Sequence, residues 1–391
     1  MQLGPRPALS ESGIAQRDAR RVEGAALTPA QTLIEPELLL TIERSPVEGP
    51  PVRVVQGSDP AAGEIAIVCG GNCEPAEWAL KKLGPAVEAR QIDRPARTIR
   101  IVTVEGARPN TKAAIFIAAA SGPNLKVVRG LWSMASITDE VVEVFARHAA
   151  RIVDARPFER IGQPRWEPAG IPVTAIVPPA DAGGLDRSSF VAAASAYFLA
   201  TLPNAGSEAL LSHLTVGAHA RLAEDGRTAV AQMGNQQRAG GDVLIMFGQA
   251  IEREQRRMRS LEAFMPVPVD PMLRSRIADM EKSITSVWTS MGITSSPFVP
   301  AAERIRGRGG EDRRVPAKAG PGGIRPVEPP TAFLKFDSPD IIVDEIGNFI
   351  DGRRSISDIR DAVSAEFGAL PLPSVVDYFE RLAKSGAITL K

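Results

Sequence analysis

Short apolar segments alternate with amphipathic helical segments over the first half of the chain, and this alternation limits the folds available to it. The predicted strands cover residues 64–68, 98–104, 125–132 and 172–177, and the predicted helices cover residues 75–83, 111–120 and 138–153. Strands and helices that alternate in this way form a sheet with helices on its faces. The sequence therefore predicts an α/β fold with helices covering both faces of the sheet.

Composition narrows the class of protein. The chain has 391 residues, of which 44% are hydrophobic, enough for one large domain and a small one. Lysine plus arginine equal aspartate plus glutamate at 46 each, so no net charge attracts nucleic acid or acidic lipid. No apolar run approaches the roughly 20 residues of a membrane span. The two cysteines make no disulfide framework, and residues 1–22 lack the apolar core of a signal peptide. We expect a soluble cytoplasmic protein without a membrane partner.

Changes in composition divide the chain into four parts. Residues 1–30 are polar and predict a flexible arm, and residues 31–293 form the predicted α/β domain. Residues 294–330 are rich in proline, glycine and arginine, which predicts a semi-extended basic linker. Residues 331–391 form a small C-terminal domain.

The last third of the predicted α/β domain is helical. Helices are predicted at residues 188–202 and 208–224, followed by a helical hairpin over residues 242–291. In the first helix of the hairpin, Phe247, Ile251, Met258 and Leu261 share one face, and Arg253, Arg256 and Arg257 lie on the other. This spacing predicts a buried apolar face and a solvent-exposed arginine face.

Three segments in the first half resemble one protein family. They are Arg97–Glu105, Gly170–Val177 and Ser189–Ala200, in that order. They are similar to the second half of the di-zinc aminopeptidases, the glutamate carboxypeptidase-like family. In that family an inner strand ends in acidic residues, a later strand carries a ligand aspartate, and a loop with a ligand histidine precedes a helix of similar composition. The resemblance implies an aminopeptidase-like sheet.

The zinc ligands of that family are missing from the matching positions. The turn Cys69–Pro75 and the loop Pro178–Asp186 contain no histidine. Glu105 stands alone where the family has two glutamates, and Ser133 is the residue nearest the aspartate position. A di-zinc site needs about five nitrogen or oxygen ligands and a carboxylate base. We therefore expect no metal, no cofactor and no catalytic residue, that is, a pseudoenzyme.

The remaining candidate donors leave an alternative open. The three histidines, His148, His213 and His219, lie on predicted helices away from the ligand positions. Cys69 and Cys73 are spaced like one pair of zinc ligands, but the sequence has no second pair to complete a four-ligand zinc site. This favours two thiols that bind no metal and take part in no reaction. The alternative is a metal-dependent hydrolase with a site rebuilt around Cys69, Cys73, Glu74 and Glu105.

The small C-terminal domain has the clearest helical pattern. Three short helices are predicted from apolar positions at helical spacing, and a strand is predicted at residues 387–390. Ser355 and Asp358 form a capping box at the start of the second helix, and Gly368 and Gly386 end the second and third helices. Three helices followed by a strand predict a winged-helix domain.

Two segments of this domain, residues 349–359 and 379–388, resemble a second family. They are similar to the small peptide-binding domain of the pyrroloquinoline-quinone chaperone family, a recognition element for ribosomal peptides, and to the winged-helix tail of some bacterial di-zinc aminopeptidase-like proteins. In such domains a peptide adds a strand beside the small sheet and packs against the third helix. The resemblance implies a peptide site beside a strand at residues 333–336. Its candidate residues are Phe336, Tyr378, Arg381, Lys384 and Ser385.

These observations favour a non-catalytic scaffold or accessory subunit. Its expected partner is an acidic, amphipathic peptide such as a leader peptide, an active peptidase-like or peptide-modifying enzyme, or a second copy of the chain. Two alternatives for the C-terminal domain stay open, a structural or dimerising cap and a DNA-binding regulator. Nucleic acid is the less favoured partner because the third predicted helix, which would be the DNA-recognition helix, offers only Arg381 and Lys384 as cations.

Overall fold

The computed structural model describes residues 48–88, 92–103, 108–150, 153–166, 169–202, 207–234, 240–265, 312–320 and 327–391, with the single residues 275, 278, 279, 282 and 324. Seven strands form one mixed sheet. They are β1 (Val54–Val55), β2 (Glu64–Cys69), β3 (Thr98–Val102), β4 (Thr111–Ile117), β5 (Leu125–Val128), β6 (Val153–Arg156) and β7 (Val173–Val177). The predicted arm, the second helix of the hairpin and the first part of the linker lie outside the described residues, apart from those single positions.

The order of the strands is β1-β3-β2-β4-β7-β5-β6. The four central strands β3, β2, β4 and β7 are parallel to one another. β5 runs antiparallel to β7 and parallel to β6, and β1 is antiparallel to β3. Since β3 lies on one side of β2 and β4 on the other, the strand order reverses at β2. Ligands of open α/β sheets bind at such a reversal, beyond the carboxyl ends of the strands.

The prediction of a helix over residues 111–120 is wrong, because Thr111–Ile117 forms the central strand β4. β4 lies between β2 and β7, and both of its faces are covered. A strand buried on both faces is apolar throughout, so its sequence lacks the alternation that marks a half-exposed strand. The apolar run Ala113–Ala120 therefore gave no periodic signal to distinguish the strand from a buried helix.

Five α-helices belong to the same part of the chain. They are α1 (Glu74–Glu88), α2 (Ile137–Ala150), α3 (Gly184–Thr201), α4 (Ser207–Gly234) and α5 (Gly240–Arg259). We call residues 48–265 the α/β body. Within it, α3 lies between α1 and α2 against the central strands. The small residues Ala192, Ala193, Ala194 and Ala196 of α3 are fully buried. Small side chains let the neighbouring helices and strands approach α3 closely. No described helix of the chain combines the length and apolarity needed to cross a membrane.

The two faces of the sheet are covered differently. On one face, side chains of the strands pack with those of α1, α2 and α3 in a large apolar core. The core on the other face is smaller, contains no residue of a described helix, and includes Trp166 and Ile171 from the segment before β7. The α/β prediction is confirmed. The predicted helical cover is found on one face only among the residues that the structure describes.

Arginines of α5 are buried, contrary to the predicted exposed face. Arg257 is 2% exposed and Arg253 is 8% exposed. Both contact the fully buried carboxylate of Glu254, Arg253 at 2.6 Å and Arg257 at 2.9 Å. Arg221 of α4 reaches the same carboxylate at 2.9 Å. The prediction failed because the apolar pattern of α5 is compatible with either exposure or ion pairing of the opposite face. The carboxylate partners are Glu254 of α5 itself, Asp139 of α2 and Asp225 of α4.

The buried charges connect α2, α4 and α5. Arg221 also reaches Glu140 of α2 at 2.5 Å, and Arg257 reaches Asp139 at 3.3 Å. Burial by itself would raise the pKa of Glu254, but the three arginines outweigh it and hold that pKa well below its ordinary value. For Glu140, burial is likewise outweighed, by His213 and Arg221, and its pKa falls to about 2. Both carboxylates therefore remain charged, and the network they stabilise weakens only as the pH falls below the ordinary range for glutamate toward their lowered pKa values.

The C-terminal part consists of three helices and a two-stranded sheet. The elements are β8 (Pro316–Lys318), α6 (Pro339–Phe349), α7 (Ile356–Phe367), α8 (Leu372–Lys384) and β9 (Ile388–Leu390). β8 and β9 pair in antiparallel register. The predicted capping box at Ser355 and Asp358 is confirmed. We call residues 312–320, 324 and 327–391 the C-terminal module.

The structure corrects two boundaries around this module. Residues 316–318, which the sequence assigned to the linker over 294–330, form the strand that pairs with β9. Ile324 and Val327 also pack against the core of the module. The predicted strand at residues 333–336 is absent, since Phe333–Lys335 forms a 3-10 turn. A strand of only three residues gives little periodic signal. Because proline is uncommon within strands, Pro316 at the start of β8 favoured the interpretation of this segment as linker.

Replacing Glu254 with glutamine should destabilise the α/β body strongly. The substitution removes the charge that compensates three guanidinium groups in a buried site, which costs about 3–5 kcal/mol. The matched control is Glu224→Gln, since Glu224 and its partner Arg227 are both well exposed and such a pair contributes less than about 1 kcal/mol. Urea unfolding curves of the two variants measure the difference. Equal midpoints for Glu254→Gln and the unchanged protein would contradict the importance of the network.

Candidate functional site

The carboxyl ends of the central strands are closely packed in this structure. Gly70, which follows β2, donates its N–H to the carbonyl of Ile117 at the end of β4, at 2.8 Å. A Cβ atom on Gly70 would lie 2.8 Å from Cζ of Phe116, closer than side-chain atoms approach one another. Glycine is thus required here by the close contact between the two strand ends. The same argument does not extend to Gly71, where a Cβ atom would have no neighbour within 4 Å.

The two cysteines meet at this edge of the sheet. Cys69 ends β2, and its thiol is hydrogen-bonded to that of Cys73 just before α1. Burial raises the pKa of the Cys69 thiol, and Cys73 and Glu77 raise it further. Glu77 is itself paired with Arg53 at 2.6 Å. Because the thiolate is the nucleophilic and metal-binding form, a buried neutral thiol is chemically inert.

The loop after β7 is the segment in which the resemblance predicted the position of a ligand histidine. Asp181 in this loop is paired with Arg187 of α3 at 2.6 Å. The loop is held down by a hydrogen bond from the N–H of Ala180 to the carbonyl of Gly122, at 2.9 Å. A Cβ atom on Gly184 would lie 2.2 Å from the carbonyl oxygen of Pro179, so only glycine fits the start of α3. The carboxylate of the loop is thus neutralised within the chain.

The histidines lie away from this edge. His148 is exposed near the end of α2, and His213 and His219 belong to α4. His213 contacts Glu140 at 3.3 Å, and Nδ1 of His219 lies 2.9 Å from the carbonyl of Thr215 in its own helix. Among the described residues, no three His, Cys, Asp or Glu side chains are grouped to hold a metal ion. Glu105 lies outside the described residues.

The five predicted peptide-binding residues do not share one surface. Arg381, Lys384 and Ser385 are exposed at the end of α8, as predicted, and Arg381 is paired with Asp377 at 2.7 Å. Phe336 is half-buried against the core of the module. Tyr378 is 1% exposed, so its predicted role as an exposed binding residue is wrong.

Tyr378 is a core residue for a physical reason. It lies three residues after Val375 and four before Leu382, both of which are buried, so it shares their face of α8. Its ring packs against Phe333 with a centroid distance of 6.0 Å, and its hydroxyl bonds to the backbone of Val327. The hydroxyl thus finds a polar partner inside the module, and the pKa of Tyr378 is raised by burial.

The small sheet of the module has a free edge. Val315 and Lys391 exchange two backbone hydrogen bonds, and the register places Ala317 opposite Thr389. In an antiparallel pair the alternate residues point their backbone groups outward. Ile388 and Leu390 of β9 therefore direct both N–H and C=O away from β8. No described backbone group bonds to them across this edge.

The outer edge of β8 is less suited than that of β9 to pairing with an added strand. The residues of β8 that point outward are Pro316 and Lys318, and proline has no N–H to donate. β9 follows directly after the last turn of α8, which carries Arg381 and Lys384. The strand with the unpaired edge thus begins four residues after Lys384 in the sequence.

The C-terminal module is docked on the α/β body through two glutamates. Glu345 of α6 accepts a hydrogen bond from the backbone N–H of Ser133 at 2.7 Å and another from the Ser133 hydroxyl. Glu366 of α7 accepts from the N–H of Trp132 at 3.3 Å. Trp132 begins a 3-10 turn, Trp132–Met134, whose first N–H groups have no partner within the turn. The two carboxyl groups satisfy these donors.

Arginines surround the same contact. Arg253 of α5 lies over the ring of Trp132 at 4.7 Å, and Arg256 lies over the ring of Phe349 at 5.1 Å. On another side of the module, Asp344 binds Arg160 at 2.9 Å and also Arg165. The module therefore contacts α5, the 132–134 turn and the segment before β7.

Sequence reasoning missed Glu345 and Glu366, although one signal was present. Glu345 lies three residues after Ile342 and four before Phe349, on the apolar face of α6. A charged residue at a core position of an amphipathic helix indicates a buried polar contact, because such residues are almost never buried without a partner. The identity of the partner, the backbone of residues 132–133, has no sequence signature.

Comparison with known proteins adds no assignment. No family model matches the chain, and no curated protein is detectably similar to it.

Replacing Tyr378 with alanine should unfold or strongly destabilise the C-terminal module. Loss of a buried aromatic side chain costs about 3–5 kcal/mol. Tyr378→Phe keeps the ring and loses only the hydroxyl contact with Val327, so its cost should be about 1 kcal/mol. Thermal unfolding followed by circular dichroism compares the two. An alanine variant as stable as the phenylalanine variant would mean that Tyr378 is exposed, as the sequence first indicated.

Proposed function

We propose that the chain is a non-catalytic scaffold that captures an acidic, extended peptide segment of a partner protein along the free edge of β9. The observation that carries the proposal is this unpaired edge, which follows Arg381 and Lys384 in the sequence of a module held firmly to the body. The partner is a leader peptide, or a segment of an active peptidase-like or peptide-modifying enzyme.

The edge of β9 offers the main recognition element. Peptides that add to a sheet gain affinity from backbone hydrogen bonds, and side chains beside the edge give selectivity. Leu390 offers its outward N–H and C=O at the accessible end of this edge, whereas Ile388 is 3% exposed and its outward groups lie beneath other residues. Lys384 has no ion pair with a described residue, and the partner of Arg381 is the exposed Asp377. An acidic peptide can therefore reach both cations without entering the core.

The position of the module favours capture over a purely structural role. The contacts with the α/β body come from α6 and α7, whereas the last turn of α8 stays exposed. A structural cap has no need for an unpaired strand edge, since exposed edges favour aggregation and proteins usually cover them. The resemblance to recognition elements for ribosomal peptides predicted strand addition beside residues 333–336, where the structure has a 3-10 turn, so the choice of the β9 edge rests on the geometry of the small sheet.

The body supports the non-catalytic part of the proposal. The resemblance predicts the lost zinc site at the end of β2 and in the loop after β7, where Cys69 has a buried neutral thiol and Asp181 a paired carboxylate. The rival, a hydrolase rebuilt around Cys69, Cys73, Glu74 and Glu105, has the exposed carboxylate of Glu74 but no thiolate at Cys69, and Glu105 lies outside the described residues. Near-stoichiometric, tightly bound zinc in the purified protein would favour the rival.

Reversing the charge of Arg381 and Lys384 together should abolish peptide capture. In the Arg381→Glu/Lys384→Glu variant an acidic segment meets two negative charges beside the strand edge. Co-purification from the native cell identifies the partner of the unchanged protein, and calorimetry with a synthetic peptide of the captured segment then gives the affinity. We expect at least a 100-fold loss, because two charge contacts of about 1.5 kcal/mol each are lost and repulsion is added.

The matched control reverses two exposed cations of the body. Arg227→Glu/Arg259→Glu changes the net charge equally, and Arg227 is paired within its helix much as Arg381 is. This control should bind the peptide as the unchanged protein does. Equal binding by the Arg381→Glu/Lys384→Glu variant, with its thermal stability preserved, would favour the structural cap. Duplex DNA binding that weakens steeply with salt would favour the regulator.

A further inference from the structure

The contact between the C-terminal module and the body contains two carboxyl groups that touch each other. The side chains of Glu345 and Glu366 are within hydrogen-bonding distance. Each also accepts a hydrogen bond from the neighbouring N–H groups of Ser133 and Trp132. Asn348 donates a further hydrogen bond to Glu345 at 3.2 Å.

Such a contact requires a proton. An ionised carboxylate has only acceptors, so two of them cannot hydrogen-bond to each other. Two like charges at this distance inside a protein also repel strongly, and one of the pair normally stays protonated. The geometry thus specifies one shared proton at the interface, which is absent when the two glutamates are separated in water.

The charged groups that face the pair are already engaged. Arg253 of α5 binds Glu254 and Asp225, at 2.6 and 2.8 Å. Arg256 of α5 binds Glu252 at 3.2 Å and donates to the carbonyl of Trp132, also at 3.2 Å.

The loop after α6 brings one more arginine toward the pair. Arg354 binds Asp351 at 2.5 Å and lies 3.9 Å from Glu252. All three arginines thus have carboxylate partners of their own. Their remaining charge favours ionisation of the pair, but burial and the mutual repulsion of the two carboxyls act in the opposite direction and raise the pKa of Glu366 well above its ordinary value.

We propose that the docking of the C-terminal module on the α/β body is a proton-linked latch, in which Glu345 and Glu366 share one proton when docked and lose it when the module is released. Release exposes the 132–134 turn and the surfaces of α6 and α7 that contact this turn and α5. The latch does not depend on the proposed peptide capture, because the edge of β9 takes no part in it.

The direction of the pH effect follows from the proton count. The docked state holds one proton more than the released state, so docking is strongest at pH values near or below the ordinary pKa of glutamate and weakens as the pH rises through the raised pKa of the pair. Between the ordinary pKa of glutamate and the raised pKa of the pair, the docking constant should fall by up to about tenfold per pH unit, the limit for release of one proton, and it should level off above the raised pKa.

The test uses hydrogen exchange of the full-length protein between pH 5 and pH 9, with the rates corrected for the intrinsic effect of pH on exchange. The amides of Trp132 and Ser133 report docking directly, because their hydrogen bonds go to the two glutamates. Their protection should decrease as the pH rises. Protection factors that are independent of pH over this range would overturn the proposal.

Two glutamine variants and one control separate the latch from general effects of pH. Glutamine at position 366 carries a donor at every pH, so Glu366→Gln should keep the two amides protected up to pH 9. Glu345→Gln removes the repulsion between the carboxyls and should also flatten the pH response. Glu328→Gln changes an exposed glutamate of the module and should respond as the unchanged protein does. A full pH response in both Glu366→Gln and Glu345→Gln would assign it to other groups and refute the latch.

Discussion

The ion pairs between the buried carboxylate of Glu254 and three arginines determine how the helices and the C-terminal module are arranged. The three arginines extend in different directions. Arg257 reaches Asp139, which also accepts hydrogen bonds from Gly130 and from Thr174 of β7. Arg253 lies over Trp132, whose N–H is bound by Glu366 of the C-terminal module. A continuous series of polar contacts therefore runs from the sheet through α5 to the module, and the position of the module is set by buried charges.

The elements with local signals could be predicted from the sequence. The capping box at Ser355 and Asp358 and the strand at the C-terminus are confirmed because their signals come from neighbouring residues. Strand β4 was taken for a helix because burial on both faces removes its periodicity. Strand β8 was taken for linker because three residues, one of them proline, gain their structure only from pairing with β9. Both errors concern elements that tertiary contacts specify.

The candidate site shows the same division between local and distant information. Exposure of Arg381 and Lys384 follows from the helical pattern of α8 alone. The same pattern places Tyr378 on the buried face, so the exposure that was expected of it from the resemblance is wrong. The burial of Arg253 and Arg257 depends on helices far away in sequence, so no local pattern could indicate it. A polar face predicts exposure only when no neighbouring element carries opposite charges.

Hydrogen exchange in the presence of the captured partner tests the proposed peptide capture at the edge of β9 most directly. The amides of Ile388 and Leu390 point away from β8, whereas that of Thr389 lies within the pair. Addition of the partner should slow exchange at residue 390, which is accessible, and leave residue 389 unchanged, because only the outward groups gain hydrogen bonds. Unchanged exchange at residue 390, with the partner bound, would contradict capture by strand addition.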